Sequence, residues 1–193
     1  MSIRRNSLIE LGKKELNASV LTNVERVREY VHSYGEYAHY NDKQSLLDLS
    51  WCQLFANWLL RKCGYPELPR TYKQWVADKK QNDGFHYIMR APGNYTPKMG
   101  DLYYTVKVNG KVTHHMGFVI EYLGSKRYRT LDGNTGDVEQ GITLWGGASH
   151  GQLRGGIGGG KVAINTRTDN NVNIEIHSFL ELPLMIYTQD PYS

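Results

Sequence analysis

Apolar residues recur at helical spacing in the first third of this chain and alternate with polar ones further on. Leu8, Ile9, Leu11 and Leu16 lie on or near one face of a short amphipathic helix predicted over 7–17. Val24, Val27 and Val31 repeat the spacing over 23–33, and Gly35 follows as a stop. Residues 36–49 are mixed and polar and read as a loop. The best-defined helix comes next. Ser50 is its expected cap, and Gln53, three residues on, completes a capping-box pattern. Leu54, Phe55, Trp58, Leu59 and Leu60 give it a broad apolar surface, and Gly64 ends it. A helix apolar over so much of its surface belongs at the centre of a domain. Residues 71–79, with Trp75 and Val76, predict a fourth helix.

After Pro97 the period changes to that of strands. Residues 101–108 and 111–121 flank Asn109-Gly110, a strong short-range hairpin signal. Residues 126–131 form the next predicted strand, 133–160 a long glycine-rich loop, and 161–166, 174–179 and 184–187 the remaining strands. Helices first and an antiparallel meander after predict an α+β fold, with N-terminal helices packed on a central antiparallel sheet. No internal repeat or linker composition interrupts the chain. Residues 1–193 therefore read as one domain, with N-terminal helices over about 1–35 and a core over about 36–188.

Composition narrows the classes. A hydrophobic fraction of 40 % in 193 residues supports a single ordinary core. The net charge of +4 is a mild bias toward anionic partners. With no dense Lys/Arg stripe, nucleic acid is not the expected one. Nothing approaches the roughly 18 apolar residues of a membrane span, so no membrane insertion is expected. The basic N-terminal residues Arg4 and Arg5 are not followed by the apolar run of a secretion signal. Synthesis in the cytoplasm and delivery by a non-classical route are therefore expected. If 52–63 is continuous helix, its two cysteines stand roughly 16 Å apart, beyond the reach of a disulfide. Cys52 is thus expected to be a free thiol.

A cysteine at a helix start is where unpaired backbone N–H groups and the helix dipole favour a thiolate. Cys63, at the opposite end, reads as a packing residue. About 60 residues after Cys52 comes the strand His114-His115-Met116-Gly117-Phe118-Val119. Alternation puts His115, Gly117 and Val119 on one face and the more apolar His114, Met116, Phe118 and Ile120 on the other. His115 is the preferred base toward the helix start, with His114 as its rival. A base histidine needs an orienting partner, and Asp132 or Asn134, at the close of the next strand, can supply it. The same Asp132-Gly133-Asn134-Thr135 segment is also turn chemistry. An oxyanion site would use the Cys52 N–H with Gln53 or the Asp48–Trp51 approach, and Trp51 and Trp145 are candidate substrate contacts.

Other motifs carry less. Gly155-Gly156-Ile157-Gly158-Gly159-Gly160-Lys161 is followed by Val162 and a predicted strand. A phosphate loop needs Ser/Thr and a helix there. This stretch reads instead as a lid over a substrate groove or as a surface loop, with Trp145 and His150 in it. A zinc site from Cys52, His114, His115 and Asp132 lacks a second cysteine ligand or HExxH spacing. No metal or other cofactor is expected, and His86 and His177 read as structural.

Four segments together resemble one family. Ser50-Trp51-Cys52-Gln53-Leu54-Phe55-Ala56-Asn57-Trp58-Leu59 looks like the nucleophile motif of the CHAP family, the cysteine, histidine-dependent amidohydrolases/peptidases, which are related to NlpC-type cell-wall peptidases. Thr96-Pro97-Lys98-Met99-Gly100-Asp101-Leu102 resembles its entry into the central sheet. His115-Met116-Gly117-Phe118-Val119-Ile120 resembles its histidine strand, and Asp132-Gly133-Asn134-Thr135 its acidic–Gly–Asn–Thr segment, where the family more often has Glu for Asp132. The resemblance runs from about residue 22 to 180. It implies a papain-like fold and hydrolysis of amide bonds in bacterial peptidoglycan. It further implies Cys52 as nucleophile, His115 as base, and Asp132 with Asn134 as polar partners. With no visible wall-binding domain, the chain resembles effector toxins that type VI secretion injects into rival bacteria, or a compact phage lysin. An effector would imply a cognate immunity protein over the Cys52 groove. A thiol deamidase or transglutaminase acting on proteins, and a non-catalytic binding module on the same fold, remain the alternatives.

Overall fold

Buried faces, caps and one ion pair explain how the N-terminal helices meet the sheet. The computed structural model describes residues 3–68, 87–108, 111–135, 160–169 and 174–182. Helix α1 is Ile3–Lys13, α2 Val24–His32, α3 Lys43–Leu47 and α4 Cys52–Lys62, with a 3₁₀ turn at Gly35–Tyr37. Helix α1 starts and ends earlier than its apolar spacing predicts. Asn23 caps α2 by accepting the Arg26 N–H at 3.1 Å. Helix α3 lies where a loop was expected, and Asp42 caps it through the Ser45 N–H at 2.9 Å.

In α4 every residue from Leu54 to Leu60 is buried, as expected of a central helix. Its C-terminus closes on Gly64, whose φ of +70° suits glycine. The Tyr65 N–H bonds Leu60 O at 2.9 Å and the Gly64 N–H bonds Arg61 O at 3.0 Å, a Schellman closure. Its N-terminus corrects the expectation: the cap position is Trp51, with no side-chain capping bond. The Ser50 hydroxyl lies 3.8 Å from the Cys52 sulfur.

The strands are β1 Ile88–Arg90, β2 Leu102–Val108, β3 Lys111–Gly124, β4 Arg127–Thr135, β5 Lys161–Thr168 and β6 Ile174–Glu181. They form one six-stranded sheet in the order β1-β6-β2-β3-β4-β5. Every neighbouring pair is antiparallel. The chain is thus α+β, with N-terminal helices and an antiparallel sheet. Strands β2 and β3 pair as far as Val108↔Lys111 across Asn109-Gly110. The predicted helix over 71–79, the strand over 184–187, and Trp145, His150 and His86 lie outside the described residues.

Strand alternation separates two buried faces. Leu102, Tyr104, Met116, Phe118, Leu131 and Leu180 share a core with Leu8, Val27, Tyr30, Trp51, Phe55 and Leu59 of the helical layer. Tyr103, Val119, Tyr128, Ile176 and Phe179 form a second cluster on the other face. The first helix is tied to the sheet by Arg5, which donates to Asp101 Oδ1 at 2.6 Å, Met99 O at 3.0 Å and Leu182 O at 2.9 Å. The chain after α1 also joins the sheet edge. The Asn17 N–H donates to Val162 O, and the Val162 N–H to Ala18 O, both at 2.9 Å.

Candidate active site

A gap in the sheet places the site. Regular pairing of β3 with β4 ends at Gly117↔Asp132. Beyond it β4 is irregular, with Asn134 at φ +53° and a register shift against β5 between Asp132 and Thr135. The first turns of α4 approach there. A Cβ on Gly133 would meet Phe55 at 2.6 Å, so glycine lets helix and strand touch. The Met116 N–H, past the last β4 pair, is close enough to the Cys52 sulfur to favour its thiolate. The helix start thus takes the place of a strand partner beside His115.

Cys52 is free and only 7 % exposed. By alternation His115 belongs to the face of Gly117 and Val119, as expected, while Met116 and Phe118 enter the helix-facing core. Its Nε2 lies 3.4 Å from Asp132 Oδ1. The imidazole also hydrogen-bonds Cys52. The side chain of His114 lies outside the described set.

Asp132 is completely buried and its oxygens are well supplied with donors. Oδ1 also accepts from the Tyr103 hydroxyl. Oδ2 accepts from Thr130 Oγ1 at 2.8 Å, Asn165 Nδ2 at 2.7 Å and Arg167 NH2 at 2.8 Å. Strand alternation produces this convergence: Thr130 and Asp132 share a face of β4, and Asn165 and Arg167 share one of β5. With these donors in place, Asp132 has little lone-pair capacity left for a metal.

The electrostatics follow from burial working against charge. Burial opposes ionisation of Asp132, yet the Arg167 charge, followed by the His115 bond, holds the carboxyl well below the usual range. Burial disfavours the imidazolium, but bonds to Asp132 and Cys52 raise the His115 pKa above its ordinary value. Burial likewise opposes the thiolate. The His115 bond and charge outweigh it, with help from Ser50 and the Met116 N–H, and the Cys52 pKa falls. Cys63 moves the other way, pushed up by burial alone. A low-pKa thiol, an imidazole that holds its proton and a buried carboxylate form a chain able to activate a nucleophile and return a proton.

The other expected positions separate. Of the two expected orienters, Asp132 bonds the imidazole, while Asn134 is buried and its Oδ1 accepts the Gly160 N–H at 3.1 Å. Trp51, an expected substrate contact, has a fully buried indole that packs in the helical core, its ring centroid 5.9 Å from that of Tyr30. Gln53 is half-buried in the first turn of α4. His177 is half-buried against Ser178 and Tyr104. Sequence reasoning missed Tyr103, Thr130, Asn165 and Arg167. Thr130 stands two residues from Asp132 and Asn165 two from Arg167, the spacing that puts side chains on one strand face, but both strands are polar along most of their length and the pattern does not stand out.

Among the described residues, no helix is long and apolar enough to cross a membrane. Neither a scan against protein-family models nor a search of curated proteins finds a match for the chain.

Proposed function

We propose that this protein is a papain-like cysteine amidase or peptidase that hydrolyses amide bonds of bacterial peptidoglycan, in the manner of an antibacterial effector or lysin. The observation that carries the thiol chemistry is the chain Cys52–His115–Asp132, with its sulfur at a helix start. The substrate class rests on the resemblance of the four short segments.

In this mechanism the Cys52 thiolate attacks the carbonyl carbon of a stem-peptide or cross-bridge amide. The S–C bond forms and the carbonyl π electrons move onto oxygen. The α4 first-turn N–H groups are suited to that oxyanion, since they stand at the positive end of the helix dipole beside the sulfur. As the tetrahedral species collapses the C–N bond breaks, and His115 gives its proton to the departing amine. Water then adds to the thioester while His115 takes a proton from it. The C–S bond breaks, and a carboxylic acid and the Cys52 thiolate are released. Asp132 keeps the imidazole oriented throughout. In an effector, a cognate immunity protein would cover the Cys52 groove.

Purified sacculi incubated with wild type and with Cys52→Ala test the reading. New muropeptide fragments with wild type alone are the expected result, and mass spectrometry of their ends identifies the bond cut. Intact sacculi with a folded wild-type protein would overturn the substrate.

A further inference from the structure

We propose that Arg167 is a positioning residue that sets the charge state of the Cys52–His115 pair through Asp132. The inference rests on the thiol reading above and extends it to a side chain that touches neither sulfur nor imidazole in the described contacts.

The geometry gives Asp132 two cations, one on each oxygen. His115 Nε2 faces Oδ1 at 3.4 Å, and Arg167 NH2 faces Oδ2 at 2.8 Å. Asp132 is fully buried and Arg167 is 3 % exposed, so water screens little between them. Arg167 NH2 also donates to Thr135 Oγ1 at 3.1 Å, which fixes the guanidinium at the end of β4. A lone carboxylate in this place would take up a proton. Neutral, it would stop stabilising the imidazolium, and the imidazolium would stop stabilising the thiolate. Arg167 prevents that from behind.

The charges alternate along the chain as Arg167 plus, Asp132 minus, His115 plus and Cys52 minus, and they sum to zero. Among the described residues, the other side chains that bond Asp132 add no charge. Tyr103 from β2 faces both Asp132 and His115, and its phenol is kept neutral by a pKa that burial raises. Thr105 pairs with His115 across β2 and β3, and Thr130 and Asn165 are neutral donors. Removing the guanidinium therefore leaves one uncompensated negative charge in a buried cluster. The relief is a proton, and the Cys52 thiolate becomes harder to form.

The pH dependence of Cys52 alkylation by iodoacetamide reads this directly, with Cys63 in the same chain as reference thiol and mass spectrometry to separate the two. Wild-type Cys52 is expected to react with a midpoint well below that of Cys63. In Arg167→Met the Cys52 midpoint rises by about one pH unit while that of Cys63 stays put. Arg167→Lys keeps the charge and stays close to wild type. A folded Arg167→Met with an unchanged midpoint overturns the proposal and leaves the thiol reading standing. If Arg167→Met does not fold, Arg167→Lys decides: a wild-type midpoint supports the charge role, and a shift of about a unit overturns it. A wild-type Cys52 that titrates like Cys63 overturns this inference and the thiolate reading together.

Discussion

Gly117 faces Asp132 across β3 and β4, and its missing side chain is what lets the carboxylate reach His115. A Cβ there would collide with Asp132 Oδ1 and would also stand 2.9 Å from Leu131 O and from Tyr103 Cε1. The space a side chain would fill on β3 is occupied by the orienting group from β4. Gly117→Ala is therefore expected to push the carboxylate off the imidazole. The overpacking costs about 1–3 kcal/mol of stability, read as a lower melting temperature. Muropeptide release falls about a hundredfold, because small displacements of oriented groups are expensive. A variant as active as wild type would show that Asp132 does not need this path.

The shifted groups predict a profile with two limbs. Cys52 is lowered and His115 raised, and both shifts favour the thiolate–imidazolium pair over the neutral one. Below the Cys52 value the thiol is neutral. Above the His115 value the imidazole has no proton for the leaving amine. Hydrolysis of sacculi should fall on both sides, whereas alkylation by iodoacetamide should fall only on the acid side. Parallel rate measurements across pH check the difference.

Ser50 Oγ lies 3.8 Å from the Cys52 sulfur. A hydroxyl that donates to the thiolate stabilises it by about 1 kcal/mol. Ser50→Ala should raise the Cys52 alkylation midpoint by about 0.7 of a pH unit. Because the cap position of α4 is Trp51 and not Ser50, the melting temperature should hardly move. A large loss of stability with no change in midpoint would assign the hydroxyl to the fold.

Arg5 and Asp101 form a buried pair that holds α1 to the sheet. Asp101 also accepts from the Tyr95 hydroxyl at 2.6 Å, the Lys98 N–H at 2.8 Å and the Leu182 N–H at 3.2 Å. Arg5→Met leaves that carboxylate without its cation, at a cost of about 3–5 kcal/mol. Chemical denaturation should register the loss. The Cys52 alkylation midpoint of the protein that remains folded should be unchanged.

Much of the architecture was legible because helix and strand periods are local. The spacing Val24–Val27–Val31 and the run Leu54–Leu60 placed two helices to within a residue or two, and Asn109-Gly110 located a hairpin. What failed was also physical. Ser50 and Gln53 have capping-box spacing, but the chain enters α4 at Trp51, whose indole is drawn into the core. Asp42 and Ser45 carried the cap signal of α3, a helix too short to show a period. Strand β1 has three residues and, among the described strands, pairs with β6 alone, so its sequence shows little. At Asp132-Gly133-Asn134-Thr135 the turn residues were real, but the strand uses them to bend: Asn134 takes its positive φ inside β4. The pairing of Cys52 with His115 was readable as chemistry. The pairing of Asp132 with Arg167 was not, because it depends on the β4–β5 register.

The parting of β3 from β4 after Gly117↔Asp132 makes the candidate chemistry hostage to strand counting. A strand shifted by one residue presents its other side, so one residue gained or lost in the 118–130 connection would exchange the inward set of β3 for its neighbours. After a loss, His114 would arrive where His115 had been, an imidazole in nearly the right spot, but with Met116 in the place of the bare Gly117. The tandem histidines are therefore no safeguard against such slippage: the empty place beside the base matters as much as the base itself.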